Sequence, residues 1–127
     1  MKVGDVVFWE RTFTTEDVNL FSKVSGDEGV HHVIPDEQGR LVIQGLLTAT
    51  LPTKIGGDFN VLARKISFEF LRPVFTGDRI RCEVVIEQYE EKNDRTYMAT
   101  NFVCRNQHEK EVMTGQFSGV ILHHQNA

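Results

Sequence analysis

The sequence predicts an α+β domain in which a curved antiparallel β-sheet wraps around a central, mostly apolar α-helix. Three observations predict it. The stretch from about Gln44 to Ile55 is apolar on nearly all sides, the mark of a buried helix. After Gly57 the apolar period changes from helical to two and holds to Leu122. The 127 residues include 39 Val, Ile, Leu and Phe, enough for one core and too few residues for two ordinary domains. A sheet with one apolar face and a single apolar helix bury each other most economically when the sheet curls around the helix.

Each element follows from local chemistry. Val6-Val7-Phe8-Trp9-Glu10-Arg11-Thr12-Phe13 reads as a short first strand. Thr14 offers an N-cap with Asp17 as its capping-box partner, and Val18, Phe21 and Val24 recur at helical spacing, so a short amphipathic helix runs from about Thr15 to Val24. Ser25-Gly26 ends it. Residues 26–40 read as a loop, because Gly26, Gly29, Pro35 and Gly39 break any period. The buried helix follows, ends at Gly56-Gly57, and carries Pro52, which should kink it or break its last turn. Val61–Leu71 is a strand, Pro73 a bulge and Thr76-Gly77-Asp78 a turn. Ile80, Cys82, Val84 and Ile86 alternate with polar residues, Glu90–Asp94 is a hairpin turn, and strands at Thr96–Arg105 and Glu111–Leu122 complete the chain.

The formal charge is −4, with no run of Lys or Arg, so neither a nucleic acid nor an anionic membrane is an expected partner. The N-terminus lacks the apolar core of a signal peptide, and no stretch is apolar for long enough to span a membrane; a cytoplasmic location is the expectation. Cys82 and Cys104 read as two buried thiols, with a disulfide left open.

Three places could carry chemistry. In Ser25-Gly26-Asp27-Glu28-Gly29-Val30-His31-His32, Asp27 and His32 lie five residues apart and can address one water molecule. Such a pair suits general acid–base work, although Asp and His are also common in solvated loops. Adjacent His31 and His32 diverge and have no further ligand near them in sequence, so no metal is expected. At Gln44-Gly45-Leu46 the buried helix opens; free N–H groups there could bind a thioester oxygen, or Gly45 could simply permit close packing. Taken alone, Ser67-Phe68-Glu69-Phe70-Leu71-Arg72-Pro73-Val74-Phe75-Thr76-Gly77-Asp78 is a strand, a bulge and a turn.

Together the three segments resemble the MaoC-like hotdog family, and within it the (R)-specific enoyl-CoA hydratases. The resemblance runs from about Phe13 to Ile86. It implies a single hotdog domain over residues 1–127 that hydrates trans-2-enoyl-CoA to (R)-3-hydroxyacyl-CoA. The family loop reads roughly Ser-Gly-Asp-x-Asn-Pro-x-His, which places the catalytic pair on Asp27 and His32. The family helix opens His-Gly-Met, which places the oxyanion-binding amide on Gly45, between Gln44 and Leu46. Ser67 matches a serine that supports the aspartate. Leu46, Leu47, Phe68 and Phe70 would wall the acyl chain, and Arg64, Lys65 and Arg72 are candidates for the CoA phosphates. CoA is part of the substrate, and no metal or redox cofactor is implied. The expected assembly is a homodimer, and the implied pathway is monomer supply for polyhydroxyalkanoate storage. The chain departs from the family at Gly29 and Val30 (Asn-Pro there), at Gln44 (His there) and in a link from His32 to Gln44 about five residues shorter.

Two other readings remain. A hotdog acyl-CoA thioesterase would usually place a carboxylate on or beside the buried helix, yet Gln44–Ile55 contains no Asp or Glu. A non-catalytic acyl-CoA-binding hotdog protein would not require the Asp27/His32 pair.

Overall fold

A computed structural model describes residues 1–123. The alternation read in the later strands decides which face of the sheet is dry. In β3 (Arg79–Glu91), Ile80, Cys82, Val84 and Ile86 are all wholly buried. In β4 (Arg95–Arg105), Thr96, Met98, Thr100, Phe102 and Cys104 are buried on the same face. The other strands are β1 (Val6–Thr12), β2 (Leu62–Phe70) and β5 (Glu111–Leu122). They form a five-stranded sheet in the order β1-β3-β4-β5-β2, with every neighbour antiparallel. The edges are therefore β1 and β2. Where β2 meets β5 the two backbones approach so closely that only glycine fits. A Cβ on Gly115 would collide with the Ser67 carbonyl, and one on Gly119 with the Leu62 carbonyl.

The buried helix is broken in two. α3 (Gly45–Thr48) and α4 (Thr50–Asp58) meet at Ala49, rather than forming one helix from 44 to 55. The break lies on the N-terminal side of Pro52, not in the last turn. The Pro52 ring lacks an N–H and crowds the carbonyl four residues back, that of Thr48, where the helix is interrupted. The glycines also do not stop α4: it runs through Gly56 and Gly57 to Asp58, and Asn60 supplies the positive φ of 58° just beyond it. Leu51 and Ile55 turn inward and fill the hollow of the sheet.

α1 (Thr15–Ser25) starts at the expected cap. Thr14 accepts from the Asp17 N–H, and the Asp17 carboxylate accepts from the Thr14 N–H. At its other end Gly26 takes a left-handed φ of 76°, and its N–H donates to the Ser22 carbonyl. The region read as one loop contains a helical turn, α2 (Val30–Val33). The missing signal is length: four residues are too few to show a period. Cys82 and Cys104 are free thiols facing one another across β3 and β4. Among the described residues no helix is long and apolar enough to cross a membrane.

Candidate active site

Four short segments converge at one end of α3. The first begins where α1 ends. Ser25 Oγ donates to the Phe21 carbonyl and accepts from the Asp27 N–H at 3.0 Å. The Asp27 carboxylate in turn accepts from the Gly29 N–H at 3.3 Å. Gly26 reverses the chain direction, so Ser25-Gly26-Asp27 launches the carboxylate back over the turn that follows. Gly29 then starts α2, with His31 and His32 packed close to its Cα hydrogens; a Cβ there would lie 3.1 Å from His31 Cε1.

His32 is only 6% exposed. Its Nδ1 lies 2.6 Å from the Val42 carbonyl oxygen. A carbonyl oxygen can only accept, so Nδ1 carries the proton and donates. In neutral His32 the lone pair is therefore on Nε2. That atom faces Asp27 Oδ2 at 3.5 Å, with the Asp27 side chain 51% exposed. In neutral His32 both atoms are acceptors, so neither satisfies the other's lone pair. The His31 ring packs edge-on to His32 with centroids 3.9 Å apart.

The segment after β2 supplies the scaffold. The Ile43 N–H donates to the Val74 carbonyl at 2.7 Å, Val42 bridges Phe75, and Thr76 exchanges bonds with Leu41 through its N–H and hydroxyl. The Val42 N–H also donates to the His31 carbonyl at 2.9 Å. Thus Pro73-Val74-Phe75-Thr76 holds residues 41–43, which hold His32 on one side and lead into Gly45 on the other. The shortened link between them is stiff. Asp36 accepts from the Gln38 and Arg40 N–H groups and from Arg40 Nε, and Arg40 lies over the Phe75 ring at 3.9 Å. The Arg40 N–H is the main influence that holds the Asp36 carboxyl below the usual 3.8, with the Arg40 side chain and the Gln38 N–H adding to it against an opposing effect of desolvation.

The cleft between these segments has a volume of about 400 Å³. His31, His32, Gly45, Phe70 and Arg72 line it together with Val42, Ile43 and Val74. Gly45 is the first residue of α3, and no side chain caps that helix start. The Phe70 ring lies directly against it: a Cβ on Gly45 would come within 2.8 Å of Phe70 Cζ. A separate apolar hollow of about 150 Å³ runs along α4 between Pro52, Gly56, Ile66, Phe68 and Phe117. Phe68 and Phe70 stand between the two spaces, stacked with centroids 6.1 Å apart. Among the described residues no group of three or more His, Cys, Asp and Glu is placed to hold a metal ion.

Several other expected site residues lie elsewhere. Gln44 is wholly buried and turned away from the cleft; Nε2 donates to the Val18 carbonyl and to Ser22 Oγ, tying the start of α3 to α1. Its Oε1 is buried without a partner among the described residues. Leu46 is 59% exposed, and Leu47 belongs to the core beneath the cleft, so neither lines it. Ser67 and Lys65 share the other face of β2, alongside Tyr97 and Gln116, because residues at odd positions there point away from Phe68 and Phe70. Arg64 is exposed where the β2–β5 register shifts and does not line the cleft. Arg72, considered only as one of three cations, is the one that does.

No family model matches the chain. A curated relative, the mitochondrial 3-hydroxyacyl-[acyl-carrier-protein] dehydratase of Arabidopsis thaliana, is 29% identical over 129 residues, covering 95% of this chain and 78% of its own. Among solved structures, an (R)-hydratase from Pseudomonas aeruginosa matches with a TM-score of 0.80 at 22% identity, over 98% of this chain and 84% of that one. The (R)-hydratase from A. caviae involved in PHA biosynthesis also reaches 0.80, at 23% identity over 97% and 98% of the two chains. A MaoC-like dehydratase from Rhodospirillum rubrum reaches 0.78 at 15% identity, over 99% and 96%. The chain has the hotdog fold of these MaoC-like proteins, as its sequence motifs led one to expect.

Proposed function

We propose that this protein is a hydro-lyase that adds water to a trans-2-enoyl thioester to give an (R)-3-hydroxyacyl thioester, with CoA as the carrier. The observation that carries the reading is the pair of acceptors, Asp27 Oδ2 and His32 Nε2, aimed at one another 3.5 Å apart beside a free helix start at Gly45. A water molecule has two O–H groups and satisfies both acceptors at once. The pair takes a proton from that water as its oxygen attacks C3. It returns a proton to C2, so water is added across the double bond and the pair ends in its starting state. Negative charge grows on the thioester oxygen during attack, and the Gly45 N–H is the donor assigned to it. One such donor typically contributes about 2.7–4 kcal/mol to the barrier, and positioned acid–base groups on the order of 10²–10⁴-fold. Ser67 has no part in this mechanism. The reaction needs no metal or redox cofactor.

The curated relative's name favours the reverse direction on an acyl-carrier-protein thioester. That reaction involves the same atoms and the same groups. The names of the hydratase neighbours favour hydration and, in one case, PHA biosynthesis. The assembly proposed is a homodimer formed along the edge strand β2, where Leu62 and Ile66 are exposed. An open edge of this kind is normally covered.

The test is incubation with crotonyl-CoA while following the enoyl absorbance and free thiol together. Loss of the enoyl signal without thiol, with (R)-3-hydroxybutyryl-CoA as product, is the expected result. Thiol release would assign a thioesterase, and no reaction on either CoA or acyl-carrier-protein thioesters would leave only binding.

A further inference from the structure

Six of the eight arginines pair with a carboxylate: Arg11, Arg40, Arg79, Arg81, Arg95 and Arg105. Among the described residues Arg64 and Arg72 have no such partner, and of the two only Arg72 lines the cleft that contains His32 and Gly45. Its head group is nonetheless held in place. Nη1 donates to the Glu111 carbonyl oxygen at 2.6 Å, while the Glu111 carboxylate is turned to Arg105 at 3.5 Å. The backbone beside it is pinned as well, since the Leu71 and Arg72 N–H groups both reach the Val112 carbonyl. A cation is thus fixed, with donors to spare, among Phe70, Leu71, Pro73, Val74 and Val112. Arg has five donors in a planar fork, and one carbonyl uses only one of them.

We infer that Arg72 anchors an anionic oxygen group of the substrate other than the thioester. This rests on the hydratase reading and deepens it. The enoyl thioester itself is neutral, so the anion is either a carboxylate carried by the acyl group or a phosphate of the carrier arm. Both present oxygens that match the guanidinium fork.

Three substrates distinguish the sources: crotonyl-CoA, the crotonyl thioester of N-acetylcysteamine, which has no phosphate, and glutaconyl-CoA, whose acyl group ends in a carboxylate. A charge-assisted bond of this kind corresponds to about a tenfold change in KM or more. If the phosphate is the ligand, Arg72→Gln raises KM for both CoA substrates, leaves the N-acetylcysteamine thioester unchanged and alters kcat little. If an acyl carboxylate is the ligand, only glutaconyl-CoA loses affinity. In either case Arg72→Lys recovers part of the loss. An unchanged KM for all three, or an equal change in all three, overturns the inference, as does a fall in kcat alone. Calorimetric titration of wild type and Arg72→Gln with CoA and with glutaryl-CoA separates this from the fate of the hydratase reading. Arg72-dependent binding with no turnover would reject the reaction and keep the anchor, and turnover with Arg72-independent binding would do the reverse.

Discussion

Asp27 and His32 differ most in their surroundings. His32 is enclosed and pinned through Nδ1, so its Nε2 lone pair has one direction, whereas half of the Asp27 side chain meets solvent. Replacing Asp27 should therefore remove chemistry without removing structure, whereas removing the buried His32 ring also leaves the Val42 carbonyl without its partner. Asp27→Asn and His32→Ala are expected to lower kcat for crotonyl-CoA at least about a hundredfold, with the thermal midpoint of Asp27→Asn near that of the native chain. Near-native hydration by either variant would sink the proposed function. Gly45 makes a different prediction. An added Cβ meets the tip of Phe70, a ring 53% exposed and free to swing, so Gly45→Ala should cost about 1 kcal/mol of stability or less. The displaced ring enters the cleft, and kcat/KM should fall while the melting temperature barely moves. The Asp27/His32 pair could be read from the sequence because a five-residue spacing within a capped, glycine-bounded segment is local. The orientation of Gln44, by contrast, depends on Val18 and Ser22, more than twenty positions away, and no local pattern reports it.

At the scale of elements, the best-founded expectation was the start of α1, because a capping box is written within four residues. Thr14→Ala should cost about 1 kcal/mol, read from chemical denaturation. The Thr14 N–H is the largest influence on Asp17; with the Arg11 guanidinium and the Thr14 hydroxyl it holds the carboxyl below the usual 3.8, against an opposing effect of burial. A carboxyl lowered by folding stabilises fully above its unfolded value and loses that contribution as pH falls through the folded one. Hence the difference in melting temperature between native chain and Asp17→Asn should be constant above about pH 5 and should shrink steadily below about pH 4. A difference that grows on acidification would contradict the assignment. The α3–α4 break and α2 were harder to read. Where Pro52 interrupts the helix depends on which carbonyl its ring opposes, and α2 is too short to have a period of its own. Between α2 and α3 the chain is fixed by the 41–43 to 74–76 bridge, a contact over more than thirty residues.

For the whole molecule, the period-two pattern made the sheet legible and the apolar helix said what it must enclose, but strand order was not written in either. β2 comes first among the later strands in sequence yet sits at the edge, beyond β5, and the close approach at Gly115 and Gly119 makes that position possible. Its exposed apolar row gives the assembly prediction. Sedimentation of the native chain should show a dimer, and Leu62→Lys, a change at a 60% exposed position, should shift it toward monomer with the secondary structure retained. A dimer indifferent to that charge would place the interface elsewhere.

The paired thiols of the two middle strands give the molecule a built-in clock. Cys82 and Cys104 have no solvent exposure, and the hydrogen bond to Cys104, followed by burial, pushes the Cys82 thiol far above its ordinary range. A protonated, enclosed thiol does not react. Alkylating reagents can reach the pair only when the core packed on that face of the sheet opens, and β3 and β4 are both interior strands. Mass shifts over time in native buffer would therefore count global openings and not local fluctuations of the cleft. A slow rate, common to both cysteines and unchanged by cleft variants such as Arg72→Gln, is the expected outcome.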